Sequence, residues 1–175
     1  MHGSPQNVER PSAAFIARSW LGSLLCLLTI AALEQSAVQG QQVPLLIGSF
    51  GASAVLSFGA IYSPLAQPRN LVLGHFLSAL VGVSCRLLLP DALWLAAPLA
   101  VASAIALMQI SRSLHPPGGA TALIAVIGGE SVWRLGYWYA FVPCLAGALI
   151  MLLFALVMNN IPKEQRWPLW WDTKI

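Results

Sequence analysis

The chain has 175 residues, of which 58% are hydrophobic and only 9% are charged, with a net charge of +3. A soluble domain carries about a quarter charged residues, so the composition excludes a water-soluble globular protein and leaves no stretch long enough to fold as a separate soluble domain. The basic residues stand singly at the ends of apolar runs, which excludes nucleic acid as a partner and marks them as topology signals in a lipid bilayer.

In chain order, residues 1–15 are polar and proline-bearing and read as a disordered tail. The first apolar run is Ser19–Leu33. It follows Arg10 and Arg18, as a signal peptide would, but lacks a small-x-small cleavage site and is read as a span. Further spans are expected from Val43 to Tyr62, Asn70 to Leu89 and Ala92 to Ile110. After a polar interruption, a fifth segment covers Pro117–Gly129 and a sixth Gly136–Met158. The remainder, 161–175, reads as an interfacial cytoplasmic tail. The expected fold is therefore all-α: a polytopic transmembrane helix bundle over 16–160, with about six membrane segments. The fifth is short. Leu114–Gly129 spans about 24 Å as a helix, against a hydrocarbon core of about 30 Å, so it either crosses or dips in.

If all six cross and the N-terminus is cytoplasmic, Arg10, Arg18, Arg69, Arg112, Lys163, Arg166 and Lys174 lie inside, and only Arg86 and Arg134 lie outside. That asymmetry favours cytoplasmic N- and C-termini in a plasma or inner membrane. Cys26, Cys85 and Cys144 lie in or beside apolar stretches without metal-ligand spacing and read as small packing residues. Trp133, Trp138, Trp167, Trp170 and Trp171 fall near segment ends, as an interfacial belt does.

An internal repeat is visible. Gly51-Ala-Ser-Ala-Val-Leu56 resembles Gly119-Ala-Thr-Ala-Leu-Ile124 at an offset of 68. Arg69, Leu80 and Gly82 align with Arg134, Leu145 and Gly147 at an offset of 65. The first and fourth runs match poorly, yet the unit reads as three segments used twice. Three crossings reverse orientation, so the halves would be inverted, as in many transporters.

The stretch Ser111-Arg-Ser-Leu-His-Pro-Pro-Gly-Gly-Ala-Thr121 carries most of the chemistry. Two prolines suit a first helical turn. The amides of Gly118, Gly119, Ala120 and Thr121 behind them are expected to be free, which with the helix dipole makes an anion site. Arg112 and His115 stand beside it, and the hydroxyl of Thr121 adds a donor. In the other half, Pro44 and Gly48-Ser-Phe-Gly-Ala-Ser53 form a similar helix start, bringing Ser49 and Ser53 to the candidate site. His75, inside an apolar span, is a proton carrier or an interhelical hydrogen-bonding group. Arg112 reads equally as a headgroup anchor, His115 as a cap at a helix break, and the glycines as helix-packing positions.

His115-Pro116-Pro117 followed by Gly-Gly-Ala-Thr-Ala resembles the signature of the HPP family of integral membrane proteins. Pro44-Leu-Leu-Ile-Gly-Ser-Phe-Gly-Ala-Ser-Ala-Val-Leu56 and Pro64-Leu-Ala-Gln-Pro-Arg-Asn70 fit the same family, in the same order. The resemblance covers about residues 15–160 and implies a bundle of four or more spans and a small inorganic anion permease of nitrite type. A non-transporting scaffold or accessory subunit is the alternative. Catalysis is not expected: the apolar core carries no paired carboxylates, phosphate loop or Ser-His-Asp set, and no cofactor or metal is implied. Self-association into a homo-oligomer is left open.

Overall fold

A computed structural model describes residues 10–37, 47–162 and 165–169. The expected tail up to residue 9, the Gln39–Gln42 link, Pro44, Lys163, Trp170, Trp171 and Lys174 lie outside the described residues. All the regular structure among the described residues is helical.

Helix α1 spans Ala13–Ala37, and Ser12 caps its start by accepting from the Phe15 amide at 3.2 Å. Helix α2 covers Gly48–Ala54 and continues as a wider, π-type turn through Val55–Gly59. A single tight turn at Pro64–Ala66 leads to α3, Pro68–Leu88, which starts on a proline that needs no amide partner. A four-residue link gives α4, Leu93–Ile110. Helix α5, Pro116–Ile127, begins on the double proline and ends at Gly128 and Gly129. Helix α6 is one turn, Glu130–Trp133. A second wide turn, Ala140–Leu145, feeds α7, Ala146–Asn159.

Four of these helical stretches are long and apolar enough to cross a membrane: Ala13–Gln35, Pro68–Leu88, Leu93–Ile110 and Ala140–Asn159. The two between them are half-length. Each has about 12 residues, which is about 18 Å of rise against about 30 Å of hydrocarbon. The second segment is thus shorter than the Val43–Tyr62 expected of it. Its helical part ends at Gly59 because the wide turn and Ala60, at φ −127°, break the ladder. Long, short, long therefore occurs twice, as α1-α2-α3 and as α4-α5-α7.

Side-chain contacts give the directions. Gly74 faces His115, and Gly82 faces Ala122 and Ala125, so α3 and α5 run parallel. Ser49 meets Thr121 and Ser53 meets His115, so α2 runs against α5. Phe50 packs on Gly147 while the Asn159 amide donates to the Ser57 carbonyl, so α2 and α7 run together. Ser19 donates to the Phe58 carbonyl, and Gly22 sits against Phe58 and Met158, which makes α1 antiparallel to both. The start of α1 and the end of α7 share one end of the bundle, where the Arg18 guanidinium donates to Gln165 at 2.6 Å. Each segment reverses the one before it, and α1 and α4 start at opposite ends. The two halves are inverted.

The helix contacts repeat across the halves as well. Gly82 on α3 lets α5 approach, and its sequence partner Gly147 on α7 lets α2 approach. Small residues permit this closeness in lipid, where dispersion contacts hold helices together. The halves differ in what fills them. Ala96, Ala100 and Ala104 on α4 make one stripe packed with Cys85, Ala122 and Val126. The α1-α2-α7 side uses larger groups, among them Ile30, Phe50, Phe58, Tyr139 and Met151. Cys26, Cys85 and Cys144 are buried free thiols, as packing residues should be. Trp167 corrects the expected belt. It is only 1% exposed, and its backbone is tied to the Asn160 side chain by two hydrogen bonds, whereas Trp138 does face outward.

Candidate functional site

The two short helices cross beside α3, and the crossing is where the buried polar side chains gather. Ser49 and Ser53 come from α2, His75 from α3, His115 from the position just before α5 and Thr121 from α5; all five are fully buried. Burial of so many polar groups in an apolar bundle is costly unless each is paired. Here they pair with one another. Ser53 Oγ lies 2.7 Å from His75 Nε2 and 2.9 Å from His115 Nε2. His75 Nδ1 lies 2.7 Å from Thr121 Oγ1, which is 2.9 Å from Ser49 Oγ and 3.3 Å from the Pro117 carbonyl. The two imidazoles meet edge to face with centroids 5.1 Å apart, and the Phe50 ring closes the other side of His75 at the same separation.

Two further groups, not evident from the sequence, complete the cluster. His115 Nδ1 lies 2.9 Å from the Leu65 carbonyl, presented by the tight turn before α3. The buried Tyr139 hydroxyl donates to the Thr121 carbonyl at 3.2 Å. Tyr139 is the repeat counterpart of Gly74 at the offset of 65, so the alignment could have flagged it; Leu65 acts through its backbone and leaves no residue-type signal. The counterpart of His75 is Ala140, so only one half carries a histidine at that level.

Sequence expectation placed an anion at the first amides of α5. Pro116 and Pro117 have no amide, and the Gly118 amide already donates to the His115 carbonyl at 2.8 Å. The Gly118 amide is therefore not free to hold a ligand. A methyl at Gly118 would meet the Gly74 carbonyl, the Ser78 hydroxyl and the Met108 sulfur, so this glycine is a packing position between α3, α4 and α5. Gly119 faces Val101 instead, on an apolar groove of about 510 Å³ between α4 and α5. Arg112 is exposed in the loop, in a left-handed conformation with φ at 52°, and no hydrogen bond joins it to His115 among the described residues. The residues the structure brings together are thus Ser49, Ser53, His75, His115 and Thr121; Arg112, Gly118 and Gly119 stand apart.

The loop that carries His115 is held by α3. Arg69 donates to the Ser111 carbonyl at 2.7 Å and Asn70 to the Leu114 carbonyl at 2.7 Å. Ser113, fully buried, bonds back to Ser111 and to the end of α4. These ties set His115 at the level of Gly74, roughly one and a half turns inside the start of α3. Among the described residues no carboxylate, lysine or arginine hydrogen-bonds any member of the cluster, and no group of three metal-ligating side chains occurs. The cluster is a chain of hydroxyls and imidazoles, each able to donate and to accept.

Comparison with known proteins gives a consistent picture. The family model for the HPP transmembrane region matches residues 8–168. A transmembrane protein of Dictyostelium discoideum is 51% identical over 172 residues, covering 97% of this chain and 60% of its own length. A second from the same organism is 46% identical over 172 residues, covering 97% and 55%. The chain thus spans less than two thirds of the length of these relatives. No solved structure matches.

Proposed function

The chain belongs to the HPP family of transmembrane proteins, and from that premise we propose that it is a transporter for a small inorganic anion, nitrite-like in size and charge. The observation that carries the reading is the buried cluster of Ser49, Ser53, His75, His115 and Thr121 where two half-length helices from inverted repeats cross. Transporter sites are commonly built at such broken helices near the midplane. Intramembrane ionisable groups facing a bundle interior mark pathways by default, because their burial is costly.

The chemistry of the cluster suits a monovalent anion. Two imidazoles and three hydroxyls supply donors, and an approaching anion meets no carboxylate among the described residues. A phosphorylated substrate would call for several fixed cations, whereas Arg69 and Arg112 lie on the exposed rim and, among the described residues, no arginine or lysine is buried within. Arg10, Arg18, Arg69, Arg112 and Arg166 all sit at one end of the bundle, against Arg86 and Arg134 at the other, which supports a cytoplasmic location for the first end. The His115 side of the cluster then faces the cytoplasm.

The complete burial of the cluster also suits a non-transporting scaffold, in which the same hydrogen bonds only fix the helix crossing. Uptake of nitrite, nitrate, formate and chloride into proteoliposomes, compared with protein-free vesicles, separates the two. Uptake of at least one anion above the protein-free rate is expected; rates equal to protein-free vesicles for all four would leave the scaffold.

A further inference from the structure

With both imidazoles neutral, the Leu65 carbonyl sets the donor and acceptor roles along the row from His115 to Thr121. The Leu65 carbonyl only accepts, so His115 Nδ1 carries a proton. With His115 neutral, its Nε2 accepts, and the Ser53 hydroxyl donates to it. Ser53 has one proton, so His75 Nε2 donates to Ser53. His75 Nδ1 then accepts, and Thr121 donates to it. Every bond in this row points toward His115.

The same atoms admit an arrangement with every bond between Thr121 and His115 reversed, reached through one in which only the Thr121–His75 bond is reversed and His75 carries both ring protons. His115 donates from both nitrogens, to Leu65 and to Ser53; Ser53 donates to His75 Nε2; His75 Nδ1 donates to Thr121; and Thr121 donates to Ser49 at 2.9 Å. This arrangement holds one more proton than the first. The two interconvert without moving a heavy atom. A proton arriving from the Ser49 side forms a new O–H bond on Thr121, whose former proton passes to His75 Nδ1. The His75 Nε2 proton passes to Ser53 Oγ, and the Ser53 proton passes to His115 Nε2. One proton has entered, one positive charge has appeared on His115, and each relay group keeps its valence.

We propose that Ser49, Thr121, His75, Ser53 and His115 form a proton wire, and that the imidazolium it creates at His115 is the charge that holds the anion, so that one proton and one anion move together. This rests on the transport reading above and deepens it. The groups in contact with the two imidazoles are Ser53 and Phe50 from α2, Thr121 from α5 and the Leu65 carbonyl from the turn before α3, with Ser49 bonded to the Thr121 hydroxyl and Tyr139 to the Thr121 carbonyl behind them. None of these side chains is a fixed cation, so an unprotonated cluster carries no charge for the anion. A proton and an anion together are neutral, which avoids the large cost of a lone charge in the bilayer. Ser53 is the relay on which the scheme turns, because among the described residues it is the group hydrogen-bonded to both histidines.

Proteoliposomes with an internal pH-sensitive dye test the coupling, with nitrite and nitrate as probes. Nitrous acid leaks through lipid unaided, so protein-free vesicles are subtracted and nitrate serves as the non-leaking probe. An inward proton gradient of one pH unit should drive the wild type to concentrate the transported anion by up to about tenfold, since one proton per anion equates the two gradients. Protons and anions should enter in a fixed ratio, and uptake should slow in D2O. In Ser53→Ala, anion that still moves should carry no proton, and Ser53→Thr should restore the wild-type ratio. A wild type that equilibrates the anion but never concentrates it under the gradient overturns the wire and leaves transport standing. A Ser53→Ala variant with the wild-type proton-to-anion ratio also overturns it. Should Ser53→Ala move nothing, gradient-driven concentration by the wild type and by Ser53→Thr still decides. A wild type that moves no anion at all removes both readings.

Discussion

A methyl group added at Gly82 would lie 2.5 Å from the Ala122 carbonyl oxygen, 2.7 Å from the Ala125 methyl and 2.9 Å from the Ala122 α-carbon. All three obstacles belong to the backbone of α5 or to a side chain without rotamers, so relief requires α3 and α5 to separate. Overpacking a close-packed site costs about 1–3 kcal/mol, and for a chain of this size each kcal/mol lowers the melting temperature by about 2–4 °C. Gly82→Ala is therefore expected to melt about 2–12 °C below wild type. Gly51→Ala is the internal control. It lies in a helix with nothing within 4 Å of the added methyl, and alanine is favoured over glycine there by about 0.5–1 kcal/mol. Because Cys26, Cys85 and Cys144 are buried thiols, a thiol-reactive fluorophore reports unfolding of the purified protein in detergent directly. Equal melting temperatures for Gly82→Ala and Gly51→Ala would refute the close α3–α5 approach that sets His115 beside His75.

Two further outcomes follow from the same geometry. Asn70→Ala removes the donor to the half-buried Leu114 carbonyl, a loss of about 1 kcal/mol; melting should fall and anion uptake should drop because the loop carrying His115 loosens, with uptake and melting unchanged counting against the reading. Reporter fusions at Asp91 and Glu130 should both mark the outside, and those at Ser63 and Arg112 the cytoplasm; a cytoplasmic signal at Glu130 would mean that α5 enters and leaves by the same face.

Much of this arrangement is legible in the residues, and the limits are physical. In lipid the hydrophobic pattern records where a segment lies along the chain, so the four long helices and the shorter apolar ones between them could be placed. It does not record depth: the apolar run from Val43 to Tyr62 is uniform, and its helix breaks at Gly59 through a change in backbone hydrogen bonding. The Gly51 and Gly119 repeats pointed to corresponding segments of two inverted halves, but left the second segment reading as a full span. Ser49, Ser53, His115 and Thr121 were singled out at two matching helix starts and His75 as a polar group inside an apolar span, and the fold collects all five. Gly118 and Gly119 were read as a ligand cradle on the strength of helix-start amides; the backbone instead turns the Gly118 amide onto His115 and uses the missing side chain for packing. The partner of His115 is the Leu65 carbonyl, a group that every residue type possesses.

The central claim is that the anion passes through the histidine cluster, and anion uptake by His115→Ala beside Gly51→Ala tests it most directly. Both proteins are first shown by the thiol-reactive melt to be folded in detergent and are then compared in the same proteoliposomes with the anion that the wild type transports best. The account predicts wild-type uptake by Gly51→Ala and uptake near the protein-free rate by folded His115→Ala. Wild-type uptake by His115→Ala would place the pathway elsewhere in the bundle.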